Sequence, residues 1–280
     1  MRLLITGAAG MLGRDVTLAA RAANHEVVAL AREELDLLDR RRVRRTLDAE
    51  APHAVINCAA WTDVDGAESG EETATAINGT AAGFLARAAA EVDAAIVHPS
   101  TDYVFDGSAG RPYVESDPPS PVNAYGRSKL AGEHAVAAEN PRHFVVRTSW
   151  LFGPHGPNFV ETMLGLAGDR APVLVVRDQV GCPTYTGHLA EALVRLVDGE
   201  SYGIHHIAGQ GECSWWEFAN EIFAQVGVES RALSCSTEEF PRPARRPAHA
   251  VLRTERDYGL ELPHWKDGLA GYLAERAVAR

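Results

Sequence analysis

The chain opens with an apolar run, Leu3-Leu4-Ile5-Thr6, that leads straight into Gly7-Ala8-Ala9-Gly10-Met11-Leu12-Gly13. This segment narrows the fold more than any other. A short strand, a glycine turn and a helix start in that order predict the first unit of a nucleotide-binding sheet. Glycine permits the tight turn and lets the backbone approach a pyrophosphate. The helix N-terminus then offers free N–H groups and a positive dipole end to phosphates. The spacing is Gly-x-x-Gly-x-x-Gly rather than the Gly-x-Gly-x-x-Gly of other dinucleotide folds. A plain strand-to-helix turn is the alternative; the position directly after the first strand favours the nucleotide loop.

The rest of the first half repeats the alternation. Glu26–Leu30, Ala54–Asn57, Ala95–His98 and Phe144–Arg147 read as further strands, and the Ala-, Leu- and Glu-rich stretches 72–91 and 125–139 as helices. Nearly continuous apolar strands separated by helices predict an α/β fold, a doubly wound parallel sheet of Rossmann type covered on both faces. After about residue 150 the alternation weakens, and Gly and Pro appear more often, as in Phe152-Gly153-Pro154-His155-Gly156-Pro157. A smaller C-terminal substrate-binding domain is expected there. It would take about 151–183 plus 208–280, and the dinucleotide-binding domain 1–150 plus about 184–207. Ser214 and Glu217 fit a capping box opening a helix to about Val226, and a last helix is expected over about Trp265–Ala274.

The 280 residues suffice for one large or two small packed units, and a net charge of −11 disfavours nonspecific binding to nucleic acid. No apolar run approaches the ~18 residues of a membrane helix. Neither nucleic acid nor a membrane is therefore expected as a partner. The start of the chain runs directly into a strand, so no signal peptide is expected. Cys58, Cys182, Cys213 and Cys235 form no Cys-x-x-Cys pair and read as reduced thiols of a cytoplasmic protein, with neither zinc nor a disulfide framework.

The end of the second strand discriminates between NAD and NADP, because an acid there bonds the ribose hydroxyls while an arginine accommodates a 2′-phosphate. Leu30-Ala31-Arg32 supplies arginine, and the first acid is Glu33. NADPH is the expected cofactor and NADH the alternative. Asp36-Leu37 resembles the loop that borders the adenine in related dinucleotide-binding proteins. The basic run Arg40-Arg41-Arg42-Val43-Arg44-Arg45 is expected on the exposed face of a helix rather than as a phosphate site.

Tyr125 and Lys129 in Tyr125-Gly-Arg-Ser-Lys129 are four apart, which stacks both side chains on one helix face. Hydride addition to a carbonyl builds negative charge on oxygen, which needs a proton donor and a hydrogen-bond partner. A free phenol has a pKa of ~10, and a nearby ammonium lowers it. Tyr125 is thus the expected proton donor. Lys129 is expected to tune it and hold ribose hydroxyls, Thr101 to bond the carbonyl or alkoxide, and Asn78 to support a water relay behind Lys129.

With these residues the chain resembles the extended short-chain dehydrogenase/reductases, and further stretches make it similar to the dTDP-4-dehydrorhamnose reductase family. They are Asn57 to Glu68, Ser100 to Gly107, Arg147-Thr148-Ser149-Trp150 and Asp178 to Thr184, in the family's order across nearly the whole chain. The resemblance implies that Gly10-Met11-Leu12 and Ala60-Trp61-Thr62 line the cofactor. It implies that Thr101 and Asp102 contact substrate, that Trp150 borders the sugar pocket, and that Val64 and Asp65 lie near the sugar or the nicotinamide. Trp215 and Trp216 are taken as core or domain contacts. Arg246 of Arg246-Pro247 fits a late family motif and would meet the diphosphate. The family reduces the 4-keto group of a dTDP-linked 4-keto-6-deoxyhexose to give dTDP-L-rhamnose, and a homodimer is one assembly the resemblance allows.

Two departures stand out. His249 and Ala250 replace a small polar pair, which leaves a related deoxysugar open, and Gly187 stands where some members carry an acid for a metal-bridged dimer, so no metal is expected. Two rival readings are a non-catalytic, cofactor-binding regulatory subunit, like the β subunit of methionine adenosyltransferase, and a sugar-nucleotide epimerase of the same superfamily.

Overall fold

In β1 (Arg2–Thr6), Leu3 and Ile5 enter one apolar core and Leu4 another, and all three are fully buried. That is the period of a strand, and burial on both faces calls for helices on both. The computed structural model, which describes residues 1–167, 172–229 and 232–278, supplies them. The first half continues with α1 (Met11–Ala22), β2 (Glu26–Leu30), α2 (Arg40–Glu50), β3 (Ala54–Asn57), α3 (Val64–Ser69), α4 (Glu71–Thr75), a π-helical turn at Ala76–Ala81, α5 (Ala82–Glu91), β4 (Ala95–Thr101), α6 (Ala124–Glu139) and β5 (His143–Thr148). The second half has β6 (Leu151–Phe152), α7 (Phe159–Leu166), β7 (Val173–Val176), β8 (Val180–Gly181), β9 (Thr184–Tyr185), α8 (Thr186–Leu196), β10 (Gly203–His206), β11 (Cys213–Ser214), α9 (Trp215–Gln225), β12 (Ala232–Cys235) and α10 (Trp265–Val278).

Six strands form one parallel sheet in the order β10-β5-β4-β3-β1-β2. The order reverses between β1 and β3, and the carboxyl ends of strands at such a switch point leave a crevice for a ligand. Leu3, Ile5, Val97 and Val146 pack on one face with Val16 of α1 and Leu193 of α8. Leu4, Val55, Ile96 and Val145 pack on the other with Leu47 of α2 and Leu85 of α5. The basic run lies on α2, where Val43 and Leu47 are buried and the arginines around them exposed.

The helical stretch ending at Glu91 is interrupted by the π turn. There Gly79 and Gly83 face Ala131 and Ala135 of α6 so closely that an added Cβ would lie 3.2 and 3.1 Å from those methyl carbons. This close approach brings α6 over the end of β4. A third core joins Phe152, Val160, Met163, Phe218, Ile222 and Trp265. Its helix α9 starts at the expected capping box, with Ser214 Oγ accepting from Glu217 N–H and Glu217 Oε2 accepting from Ser214 N–H.

Candidate active site

Gly7 ends β1 at φ +63°, and a Cβ on it would lie 2.6 Å from the backbone of Ala59 beyond β3. No side chain fits between the two strand ends. α1 begins behind Gly10, which provides no side-chain cap, so the first N–H groups of the helix are left for a ligand. A cavity of about 260 Å³ continues from this turn, lined by Gly7, Gly10, Arg32, Asp36, Leu37 and Ala60. Arg32 is exposed at its rim. The bare helix start, the glycine cradle and the rim arginine fit a dinucleotide phosphate.

Two residues of the loop play other parts than expected. Leu12 is buried in the sheet core, so it can meet a cofactor through its backbone alone. Gly13 is the closest packing point of the turn, since a Cβ there would lie 2.2 Å from the Gly7 carbonyl oxygen. Met11 is partly exposed beneath the loop at Gly156.

α6 starts at Asn123, whose side chain caps Gly126 N–H at 2.7 Å. Tyr125 thus falls in the first turn, with Lys129 one turn on and 3% exposed. Lys129 Nζ donates to the carbonyl of Pro99 at 2.7 Å, which anchors it over the end of β4 and leaves two N–H donors. Burial lowers its pKa to about 8, against the charge of Glu133, which raises it. Tyr125 lies edge-on to Tyr103 with ring centroids 6.0 Å apart. Its pKa is pushed up by burial first and by Asp102 second, while a hydrogen bond with Thr101 pulls it down. Lys129 is not among the influences on Tyr125. The ammonium hydrogen-bonds the Pro99 carbonyl, and burial has the largest effect on the phenol.

Asn78 is 1% exposed in the π turn. Its Oδ1 accepts from Trp61 N–H, and its Nδ2 donates to Trp61 O and to Ser128 Oγ. The side chain therefore locks the Ala60-Trp61-Thr62 loop to α6 instead of reaching behind Lys129 for a water relay. Trp61 is fixed further by Nε1 donating to Asp63 O, and Thr62 is exposed.

Thr101 and Asp102 close β4, 7% and 2% exposed. Asp65 and Arg246, expected to meet separate parts of a ligand, meet each other. Arg246 Nη1 donates to Asp65 Oδ1, Arg242 Nη2 to Oδ2 at 2.6 Å, and Ala244 N–H to Oδ1. These bonds hold the Asp65 carboxyl well below the usual carboxylate range. Asp65 thus ties the 242–246 loop to α3, and Arg246 also engages the Tyr103 hydroxyl. Val64, which begins α3 beside Asp65, is half-buried.

Trp150 adopts φ +47°, a strained value for a bulky side chain. Its indole stacks on Trp215 at 3.6 Å with 8° between the planes. Trp215 in turn lines an apolar groove of about 670 Å³ with Phe159, Met163, Leu174, Phe240 and Arg242. The expectation of a core or domain contact for Trp215 did not include this wall.

Glu133 and Arg147 were also missed as a unit. They pair at 2.7 Å, 3% and 2% exposed, and Ser100 Oγ donates to Glu133. Glu133 stands eight residues after Tyr125, on the same helix face, and that spacing was the signal available. His98 lies beside them, 1% exposed, with Nδ1 accepting from Asn57 Nδ2 at 3.1 Å.

A family model described as RmlD substrate binding domain matches residues 1–278. The dTDP-4-dehydrorhamnose reductase of Mycolicibacterium smegmatis is 45% identical over 98% of this chain and 85% of its own. The dTDP-4-keto-6-deoxy-D-glucose reductase of Streptomyces niveus is 43% identical over 96% and 95%. The crystal structure of dTDP-4-dehydrorhamnose reductase from Bacillus anthracis in complex with NADP superposes with a TM-score of 0.95 at 38% identity, covering 98% of this chain and 99% of that one. An oxidoreductase fold with a glycine cradle, a Tyr-x-x-x-Lys helix and relatives matched from end to end places the chain in the dTDP-4-dehydrorhamnose reductase family.

Proposed function

We propose that the protein is an NADPH-dependent reductase of a dTDP-linked 4-keto-6-deoxyhexose, with dTDP-L-rhamnose or a closely related deoxysugar nucleotide as product. One observation carries the reading. The Tyr125 and Lys129 side chains and the Thr101 hydroxyl gather at the end of β4, beside the cradle made by Gly7 and the bare start of α1. The names of the relatives, and NADP in one of their structures, support the same chemistry.

NADPH, when bound, supplies the hydride that adds to C4 of the sugar. Gly7, the first N–H groups of α1 and Arg32 would hold its phosphates, and Asp36 and Leu37 would border the adenine. Tyr125 gives its phenolic proton to the C4 oxygen, Thr101 hydrogen-bonds that oxygen, and Lys129 keeps a fixed positive charge nearby. The apolar groove beside Trp215 offers a seat for the thymine, and Arg246, held by Asp65, a partner for the diphosphate.

The test is to add candidate dTDP-4-keto-6-deoxyhexoses to protein and NADPH, follow absorbance of the reduced nicotinamide, and identify the product by NMR. Stoichiometric oxidation with a 4-hydroxy product supports the reading. Sugar conversion without net oxidation would make the protein an epimerase. Cofactor binding with no conversion would make it a regulatory subunit.

A further inference from the structure

A hydroxyl has one proton to donate, and Thr101 has Asp102 Oδ1 on one side and, on the side of the site, the Tyr125 oxygen and a substrate oxygen as candidate acceptors. Its Oγ1 already accepts from Tyr103 N–H at 3.2 Å. It lies 3.0 Å from Asp102 Oδ1. If Asp102 is a carboxylate, the Thr101 proton points to Asp102 and none remains for a substrate oxygen. If Asp102 is protonated on Oδ1, the bond reverses, and the Thr101 proton is free to point into the site.

The surroundings of Asp102 favour the second state. The residue is 2% exposed, and its Oδ2 has no hydrogen-bond partner. An ionised carboxylate with a buried bare oxygen is costly, whereas a neutral acid tolerates it far better. The titratable groups that face it are Tyr103 on its own turn, Tyr125 on α6 and Cys182 between β8 and β9, all pushed up, so none brings positive charge. Arg246 reaches Tyr103, and Lys129 points to Pro99. Burial raises the Asp102 pKa to about 7, outweighing hydrogen bonds from Thr101 and from the backbone of Asp102 and Tyr103 that lower it.

We propose that Asp102 is a positioning residue that works as a neutral carboxylic acid, donating a hydrogen bond from Oδ1 to Thr101 Oγ1 and so turning the Thr101 hydroxyl into a donor toward the oxygen of the reacting carbonyl. No bond to the substrate is made or broken by Asp102. The chain of two O–H donors, Asp102 to Thr101 to oxyanion, strengthens as charge develops. The inference rests on the carbonyl reduction proposed above.

The experiment compares wild type, D102N and D102A in NADPH oxidation with the dTDP-keto sugar across pH, and in thermal unfolding without ligand. Asparagine carries an N–H donor at all pH values and so imitates the neutral acid. Wild-type kcat/KM is expected to fall above about pH 7. In D102N the fall should shift toward about pH 8, where Lys129 titrates, with a loss at pH 6 of no more than about tenfold. D102A should lose about a hundredfold or more at the same pH. D102N as inactive as D102A, or an unshifted fall, would overturn the proposal.

The unfolding arm reads the proton directly. A carboxyl with a raised folded pKa loses stability as pH rises from about 4 to about 7. The melting temperature of D102N minus that of wild type should therefore grow over that window and then level. A difference independent of pH would mean that Asp102 stays in one charge state throughout and would overturn the proposal. If wild type oxidised no NADPH with any such sugar, the proposed function would fail, and the unfolding arm alone would still decide the state of Asp102.

Discussion

Arg147 and Glu133 form an ion pair of 2.7 Å with side chains 2% and 3% exposed, and Glu133 stands one turn beyond Lys129 on α6. Ser100, next to Thr101, donates to the same carboxylate. The pair therefore joins the ends of β4 and β5 to the helix that carries Tyr125 and Lys129. Removing one partner of a buried pair leaves an uncompensated charge and costs about 3–5 kcal/mol. Glu133→Gln is expected to lose that much in urea unfolding, and Arg147→Met a comparable amount.

Glu133→Gln also has an expected signature in activity. The Glu133 charge holds the Lys129 pKa up against burial, at about 8. Without it the ammonium is lost at lower pH, so the Lys129 step of the alkaline fall in kcat/KM, exposed at about pH 8 in D102N, moves down when Glu133→Gln is added to that variant. Stability has the opposite slope. Because Lys129 has a depressed folded pKa, the unfolded chain binds more protons between about pH 8 and 10.5, and the Lys129 contribution to stability improves as pH rises through that window. An alkaline limb that stays in place between D102N and the D102N/Glu133→Gln double variant would reduce Glu133 to a structural strut.

Tyr125→Phe is expected to lower kcat by about 10²–10⁴, the range for loss of a positioned acid, while the NADPH dissociation constant changes by less than about threefold. The ring keeps its place against Tyr103 and the Ala67, Ala74 and Ala124 cluster, so loss of fold is not expected. Fluorescence titration with NADPH and single-turnover kinetics check the two halves separately. Normal turnover by this variant would remove Tyr125 from the proton-donor role.

Arg32→Ala is expected to weaken NADPH about tenfold and NADH by less than about twofold, because the guanidinium at the rim of the cofactor cavity has one distinguishing partner, the 2′-phosphate. Calorimetric titration with both cofactors decides it. Equal losses would place Arg32 on the surface without a cofactor role.

The strand-turn-helix at Gly7 and the helix at Tyr125 were legible because local rules make them. Apolar runs, glycine spacing and an i,i+4 pair each report on a few neighbouring residues. What was not legible depends on contacts between distant segments. Asp65 and Arg246 are far apart in sequence, and nothing near either one signals that they neutralise each other. Leu12 looked like part of the nucleotide loop because it sits inside the motif, yet the helical period turns its side chain to the core. Asn78 has a polar side chain near Lys129, but its hydrogen bonds go to Trp61 and Ser128, a choice set by the π turn. Lys129 was expected to act on Tyr125, and the partner it finds, the Pro99 carbonyl, is a backbone atom that no side-chain pattern reveals.

Trp150 shows how a glycine can belong to a binding wall without touching the ligand. A Cβ on Gly181 would lie 2.6 Å from the Trp150 indole, far inside contact distance, and the indole cannot retreat because Trp215 stacks on it at 3.6 Å. Gly181→Ala must therefore push the two rings as a unit, and Trp215 forms one side of the apolar groove. The cofactor cradle at Gly7 and Gly10 shares no residue with that groove. The substitution is expected to raise KM for the dTDP sugar about tenfold or more, with the NADPH dissociation constant within about twofold of wild type. Intrinsic tryptophan fluorescence should shift in the same variant, since both indoles change surroundings. An altered NADPH affinity with an unchanged sugar KM would mean that the stacked pair supports the cofactor side instead, and the groove would lose its assignment to the nucleotide of the substrate.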